Sequence, residues 1–346
     1  MKLIRLQILI LLGLFCNTEL SAQQKPQYTQ YILNNYILNP ALSGIENYVD
    51  IKISHRHQWV GLTDAPVTSY ITIQGPIGKQ DYNTNATTLF EVPGTNPRGK
   101  EYWENYSSSP AHHGVGLQIV DDKAGQFVST SVFGTYAYHL PIGKRANLSA
   151  GIGIGASSIR LNTNNLLFEH NSQQVDPAVF GNGTTGKTKI DMNAGLWLYA
   201  SNYFIGFSAM QLLPQRIDFS DDQTRKNAGK MAPHIFATAG YRFLLSEDFN
   251  VLPSVMFKSI SPIPMQIDLN MKLAYKDKAW VGASYRNKYG FAGMAGFNAM
   301  NLFTLSYSYD YSVTQINTVS SGTHELILGF ILGNKYNSDT CPKNVW

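Results

Sequence analysis

Cysteine is nearly missing from this chain: there are 2 in 346 residues, Cys16 and Cys341. Cys16 lies in an N-terminal stretch that reads as a removable leader, so Cys341 has no internal partner and a disulfide framework is excluded. Charge is scarce too. Asp, Glu, Lys and Arg make up 14% of the residues, against about 25% in ordinary soluble domains. The net charge of +4 is mild and forms no basic cluster, so nothing supports nucleic-acid binding. Long apolar runs are absent as well. Residues 6–15 form an apolar run of about ten, and nothing later reaches the roughly 20 that a membrane helix needs.

The first residues have the layout of an export signal. Lys2 and Arg5 give a basic start, the apolar run follows, and Leu20-Ser21-Ala22 offers a small residue before Gln23. A cleaved signal peptide over 1–22 is expected. Phe15 before Cys16 is too bulky for a lipidation site, so no lipid anchor is expected there.

What the chain does have is Tyr 20, Phe 17 and Gly 29. Many tyrosines, few charges and no membrane helix match a membrane β-barrel. They also match a secreted β-sandwich, so composition does not decide. Periodicity adds more. Thr130, Val132, Gly134, Tyr136, Tyr138 and Leu140 share one face, as do Leu148, Ala150, Ile152, Ile154 and Ala156. Ile267, Leu269, Met271, Leu273 and Tyr275 repeat the pattern. Alternation with period two means strands with one apolar face.

Such segments occur at 49–57, 68–75, 113–120, 128–140, 146–158, 190–200, 203–210, 235–244, 249–258, 266–275, 279–286, 291–297, 301–310 and 324–332. The fold expected is all-β, a transmembrane antiparallel barrel of about 14 strands over 47–332. An even count suits a bacterial barrel. Connection lengths support it. With a periplasmic N-terminus, the even-to-odd turns at 141–145, 201–202, 245–248, 276–278 and 299–300 are short. The odd-to-even loops include the long polar stretches 159–189, 211–234 and 311–323. Both termini are then periplasmic, with 333–346 a periplasmic tail. The stretch 79–111 breaks the rule: it is either a periplasmic insertion or a register slip near 86–92. Tyr136, Tyr138, Tyr199, Tyr203, Tyr307, Tyr309 and Tyr311 stand near strand ends, where an aromatic girdle would lie.

A barrel of this width has a lumen to fill. Residues 25–44, within an N-terminal segment placed at 23–46, do not alternate. Tyr28, Tyr31, Ile32, Asn35, Tyr36 and Asn39 recur at three- and four-residue spacing, one or two helical turns ended before Pro40. The strand 146–158 puts Ser149, Gly151, Gly153, Gly155 and Ser157 on one face, and bare glycines admit another backbone. The expectation is an N-terminal segment plugging the lumen against that strand. The alternative is a flexible tail beside a glycine-rich barrel corner.

Several motifs then resemble one family. Gln30-Tyr31 through Asn39-Pro40-Ala41-Leu42-Ser43-Gly44 is followed by Arg56-x-Gln58-Trp59-x-Gly61 and Ala65-Pro66-x-Thr68. Further blocks are Gly75-Pro76-Ile77-Gly78-Lys79, His113-Gly114-Val115-Gly116-Leu117 and Asp121-Asp122-Lys123-x-Gly125. Tyr136-Ala137-Tyr138-x-Leu140-Pro141 and Gly322-x-His324-Glu325 complete the set. In order and over the whole mature chain, these resemble the PorP/SprF family of type IX secretion proteins of Bacteroidota. The resemblance implies an outer-membrane accessory that helps secrete or anchor a large cell-surface adhesin, as in gliding motility. Other type IX substrates, secretion components and surface lipoproteins are the further partners it implies. It marks Tyr31, Asn35, Asn39, Pro40, Gly44, Arg56, Gln58, Trp59, Gly61 and Pro66 as structural or partner-binding positions. The length of 79–111 departs from the family pattern.

No enzyme or cofactor is expected. Gly151-Ile152-Gly153-Ile154-Gly155 lies inside an alternating strand and opens no helix, unlike a dinucleotide loop. His112-His113 with Asp121-Asp122 fits no metal spacing, and Asp221-Asp222 lies in a polar loop. No serine sits in a nucleophile pattern. The competing function is a 14-stranded channel for small solutes, which the fold alone does not exclude.

Overall fold

The computed structural model describes residues 26–79, 100, 106–162, 184–213, 216–217, 229–230, 232–260, 263–276, 278–299 and 302–333. The expected signal peptide, Asp221-Asp222, both cysteines and nearly all of the 333–346 tail lie outside these residues.

Fourteen antiparallel strands form a closed barrel. They are β1 Val49–His57, β2 Val67–Ile77, β3 His112–Ala124, β4 Phe127–Pro141, β5 Ala146–Asn162, β6 Thr184–Ala200 and β7 Tyr203–Met210. The second half comprises β8, whose parts His234–Tyr241 and Phe243–Leu244 flank Arg242, then β9 Phe249–Ile260, β10 Ile263–Tyr275 and β11 Ala279–Arg286. β12 Gly290–Ala299, β13 Phe303–Ser312 and β14 Thr323–Leu332 complete it. Each strand pairs with its sequence neighbours, and β1 pairs with β14 from Val49↔Leu332 to His57↔His324. Closure leaves no sheet edge, which is what lets strands cross a lipid core without orphaned backbone groups.

Alternation splits each strand between two environments. On β5, Leu148, Ile152 and Ile154 are exposed outward while Asn147, Ser149, Gly151 and Gly153 are buried inward. On β14, Leu326, Leu328 and Phe330 face out and Glu325, Ile327 and Ile331 face in. An apolar exterior of this extent on every strand is the surface of a protein whose solvent is lipid.

The fourteen strands match the sequence expectation, with differences at the ends. β5 runs to Asn162 and β6 starts at Thr184, so part of the expected 159–189 loop is ladder. The doubt over 79–111 resolves as an insertion. β2 and β3 pair directly from Val67↔Lys123 to Ile77↔His113, with no slipped strand between them. The insertion joins β2 to β3 at the end of the barrel that otherwise carries short turns. Its last described residues hold the β4–β5 turn there: Ser108 N–H donates to Lys144 O (2.9 Å) and Ser108 Oγ to Gly143 O (2.7 Å). The opposite, long-loop end also has short hairpins, at β3–β4, β9–β10 and β11–β12.

Candidate functional site

The most structured part of the interior is the N-terminal segment. Residues 30–42 form three short 3-10 turns, Gln30–Leu33, Asn35–Ile37 and Pro40–Leu42. The expected helical turns are therefore of the tighter kind, and a third begins where the sequence reading placed a stop. Pro40 takes the first position of that turn, where its missing N–H costs nothing. Asn39 caps it, its side chain accepting from Ala41 N–H at 2.9 Å.

The turns satisfy only some of the segment's own carbonyls, and a buried backbone acceptor needs a partner. Inward-facing strand side chains supply them, with Lys79 just past the end of β2. Gln118 donates to Tyr36 O (2.6 Å), Ser208 to Leu38 O (2.6 Å), Ser149 to Ala41 O (2.6 Å) and Lys79 to Ile45 O (2.7 Å). His139 Nε2 donates to Ser43 O (2.8 Å), which leaves Nδ1 to accept from the Tyr199 hydroxyl (2.9 Å). Side chains of the segment reach outward in turn. Asn34 donates to Thr72 Oγ1 (3.0 Å), and Asn39 Nδ2 donates to the carbonyls of Leu196 (3.0 Å) and Phe207 (3.2 Å). The Tyr36 hydroxyl bonds Thr135 (2.6 Å) and Asn270 donates to the Tyr31 hydroxyl (2.5 Å). The partners come from strands on every side of the barrel.

Glycine makes room for this backbone. A Cβ on Gly151 would lie 2.5 Å from Ala41 Cα. One on Gly114 would overlap Ser43 O, one on Gly116 the Tyr36 hydroxyl and one on Gly195 the Asn39 amide. Apolar packing finishes the contact. Tyr31, Ile32, Ile37 and Leu38 join Tyr70, Phe236, Met256, Trp280 and Ile327 in one cluster, and Tyr36, Ala41 and Leu42 join Trp197, Phe204 and Leu252 in another.

The start of the segment is held by charge. The Arg56 guanidinium pairs with Glu325 (3.1 Å) and Asp310 (2.9 Å) and also bonds the Thr29 hydroxyl. Thr29 N–H donates to Glu325 Oε2 (2.8 Å), Thr29 Oγ1 to Asp310 (2.5 Å) and Gln30 Nε2 to Glu325 O (2.8 Å). Arg56 is 2% exposed and Glu325 1%, so this group is compensated internally rather than by bulk water. Beside it, Arg286 pairs with Asp268 (3.1 Å) and reaches Gln27 Oε1 (3.5 Å).

These contacts give the segment a direction. Thr29 lies near the β13–β14 loop and Ser43 near the β4–β5 turn. The chain descends through the lumen from the long-loop end and enters β1 at the short-turn end. The sequence reading puts the N-terminus on the same side as the short turns; the described chain instead begins at the long-loop end. Strand parity fixes the side of the residue before β1, and the segment upstream of it crosses back.

The remaining sequence-marked residues divide by place. Asn35 is buried within the segment, and Gly44 (φ +71°) packs against the backbone of Gly114 and Gly75. Gly153 faces Thr135 and Asn193, while Gly155 lies against Phe133 of β4 rather than the segment. Gln58, Trp59, Gly61 and Pro66 form the β1–β2 loop at the long-loop end. There Gln58 N–H donates to Pro66 O (2.9 Å) and Trp59 N–H to Thr323 Oγ1 (3.1 Å). Trp59 and Gly61 both have positive φ (53° and 101°). Gly114, Gly116 and Glu325 fall in the family-like blocks of the sequence but were not marked as site residues, and Asp310 and Gly195 were not singled out at all. Gly114 and Gly116 show the same period-two spacing as the glycines of β5. Tyr199, expected in the girdle, is 2% exposed and faces inward. His112 and His113 point to opposite faces. His112 stacks on His139 with ring centroids 4.4 Å apart, and His113 bonds Tyr136 (2.7 Å). No group of three or more potential metal ligands occurs among the described residues.

Above the segment, toward the long-loop end, lies a cavity of about 340 Å³. Ile37 and Leu38 contribute from the segment, Phe133, Met210 and Phe236 from the wall, and Asp122, Asp191 and three serines bring polar groups.

Fold and interior together define a membrane-spanning β-barrel whose lumen holds its own N-terminal segment. The model of one family, type IX secretion system membrane protein PorP/SprF, matches residues 20–330. The chain belongs to that family, which implies a role in type IX secretion and a place in the outer membrane. Family and fold indicate a secretion or transport component. No curated protein matches the chain. Among solved structures it is similar to CymD, a monoaromatic hydrocarbon channel, at 10% identity over 88% of this chain and 94% of that one, with a TM-score of 0.48. The toluene transporter TbuX of Ralstonia pickettii is 8% identical over 87% and 93%, TM-score 0.48. The outer membrane protein Omp33 of Acinetobacter baumannii is 10% identical over 84% and 100%, TM-score 0.43. None of these bears on what the present chain binds.

Proposed function

We propose that this protein is a type IX secretion accessory that binds a large secreted adhesin and helps it reach or stay on the cell surface. In this reading 1–22 is a cleaved signal peptide, 23–46 a plug, 47–332 the outer-membrane barrel and 333–346 a periplasmic tail. The long-loop end faces the exterior. The observation that carries the reading is the N-terminal segment, bonded through its backbone to β2, β3, β4, β5, β7 and β14 and through its side chains to β1, β6 and β13. A lumen occupied in that way favours a closed docking scaffold over an open pore. The adhesin, and any surface lipoprotein or secretion component with it, would meet the exterior loops, including the β1–β2 loop that carries Gln58 and Trp59.

The test is deletion of the gene. Loss of one surface adhesin, with loss of spreading on agar, is the expected result; normal adhesin display overturns the proposal. Affinity purification from detergent identifies the bound client. The competing reading, a small-solute channel, requires steady conductance of the purified protein in planar bilayers, and the plugged accessory should show none.

A further inference from the structure

We propose that the β1–β2 and β13–β14 loops form one preformed docking face, and that it takes an exported protein presenting an uncharged, apolar-centred surface. The proposal deepens the accessory reading and rests on its placing of the long-loop end at the cell exterior.

The two loops are built as a unit. Val60 N–H donates to Gly322 O (2.9 Å) and Ser321 N–H donates back to Val60 O (2.7 Å), a reciprocal pair between loops far apart in sequence. Trp59 N–H donates to Thr323 Oγ1 (3.1 Å). Gly61 packs beside them, where a Cβ would lie 3.7 Å from Val319 O. The Gln315–Thr318 turn is tied to the end of β13 by Asn317 Nδ2, which donates to the Tyr311 hydroxyl (2.9 Å). Each loop is also fastened to its outer neighbour. Gly125 N–H of the β3–β4 hairpin donates to Asp64 O (3.1 Å), and Val313 N–H donates to Tyr289 O (2.9 Å) of the β11–β12 hairpin. Loops already held in one shape lose little conformational entropy on docking.

The chemistry of the face differs from that of the other long loops. Residues 58–63 and 311–323 contain no Asp, Glu, Lys or Arg, whereas the sequence of 163–183 includes Glu169 and Asp176 and that of 214–233 includes Asp221, Asp222, Arg225 and Lys226. Tyr311, Val313 and Val319 are 49%, 56% and 60% exposed. Charge returns at the two margins, with Asp64 on the side of the β3–β4 hairpin and Lys288 in the β11–β12 turn. A charge-free centre with apolar side chains inside a polar margin is the composition of a protein–protein interface core, and an exposed apolar patch of this kind marks an interaction site.

The occupant follows from the same features. A lysine or glutamate set against Val313 or Val319 would be desolvated without a partner, so the matching surface is itself uncharged at its centre. A second copy does not fit, because in one membrane its long-loop end points the same way. Lipid meets the outward strand residues such as Tyr307 and Leu326, whereas Val313 and Val319 lie past the end of β13 at Ser312. A protein that arrives from outside the membrane is left.

The experiment is photo-crosslinking in intact cells with the full-length protein carrying p-benzoylphenylalanine in place of Val319. The control carries it in place of Ile142, in the β4–β5 turn at the opposite end. Ultraviolet light should join the Val319 position to a surface protein, identified by mass spectrometry and digested by protease added to intact cells, and the Ile142 position should not yield that adduct. Leu62→Glu/Val313→Glu should cut the adduct at least tenfold, and Val313→Ile should leave it in place. Heat-modifiable gel mobility confirms that each variant is a folded barrel. Photoproducts confined to lipid or to the chain's own loops, or an adduct undiminished in the folded charged variant, overturn the proposal. Adhesin display lost on gene deletion, with no protein adduct at Val319, sinks the docking face alone. A charge-sensitive protein adduct at Val319, beside normal adhesin display in the deletion strain, sinks the adhesin reading and keeps the face.

Discussion

Gly151 stands against Ala41 so closely that a Cβ on the glycine would lie 2.5 Å from the alanine Cα. The contact joins a barrel wall to a segment with which it shares no ladder. Gly151→Val should therefore act on the segment before it acts on the barrel. Its outward neighbours Ile152 and Ala150 keep β5 in register. Overpacking of this kind costs about 1–3 kcal/mol, and the segment can escape it by leaving the lumen. The expected phenotype is a heat-modifiable barrel whose N-terminal segment becomes sensitive to protease and whose bilayer conductance rises. A variant with wild-type protease resistance and no conductance would show that the wall yields instead.

Asn39 and Asn35 are both buried asparagines of the segment, and they should not behave alike. Asn39 caps the Pro40–Leu42 turn and donates to two strand carbonyls. Asn39→Leu removes the cap and both bonds, for a loss of about 2–3 kcal/mol, and its larger side chain must also pass Gly195. Asn35 lines a small void with Tyr31, Ile32 and Phe204, where leucine is easier to place. Client secretion should fall strongly in Asn39→Leu and little in Asn35→Leu, with barrel folding normal in both. Equal effects on secretion would remove the special role of the cap.

The Arg56 group invites a charge-balance test. It holds one guanidinium between two carboxylates. Arg56→Met leaves Glu325 and Asp310 facing each other without a cation, and breaking a buried pair in this way costs about 3–5 kcal/mol. Glu325→Gln keeps a one-to-one pair of Arg56 with Asp310 and should cost far less. The triple variant Arg56→Met/Asp310→Asn/Glu325→Gln should recover most of the loss. Midpoints of thermal unfolding by gel mobility in detergent measure all three; a triple variant as unstable as Arg56→Met would count against the electrostatic account.

The barrel was legible in the sequence because lipid outside and a packed lumen inside impose opposite demands on successive residues. Leu148–Ile154 or Leu326–Phe330 carries that alternation without any tertiary information. The lumen contents were legible only in part. The glycine face of β5 and the spacing of Tyr31, Asn35 and Asn39 pointed to an inserted segment. The type of turn was not readable, since three- and four-residue spacings serve 3-10 and α turns alike. The charged group was hidden by distance along the chain: Arg56 is 269 residues from Glu325. Only the register of β1 against β14, which sets Arg56 opposite Glu325, brings them together. The direction of the segment was misread for a similar reason, because alternation reports which face a residue takes and says nothing of a chain that leaves the sheet.

Topology supplies the last test. The β5–β6 connection and the insertion between β2 and β3 lie at opposite ends of the barrel, since β3, β4 and β5 are successive antiparallel strands. An epitope placed at residue 172 should bind antibody on intact cells. One placed at residue 90 should bind only after the outer membrane is permeabilised. A single cysteine at Gln27 should react with a small membrane-impermeant maleimide on intact cells, because Gln27 lines an opening at the long-loop end with Trp59 and Tyr311. Labelling of Gln27→Cys only after permeabilisation, with the two epitopes as expected, would mean that the segment enters the lumen from the periplasm in the cell. Reversal of both epitopes would invert the barrel and move the proposed docking surface to the periplasmic side.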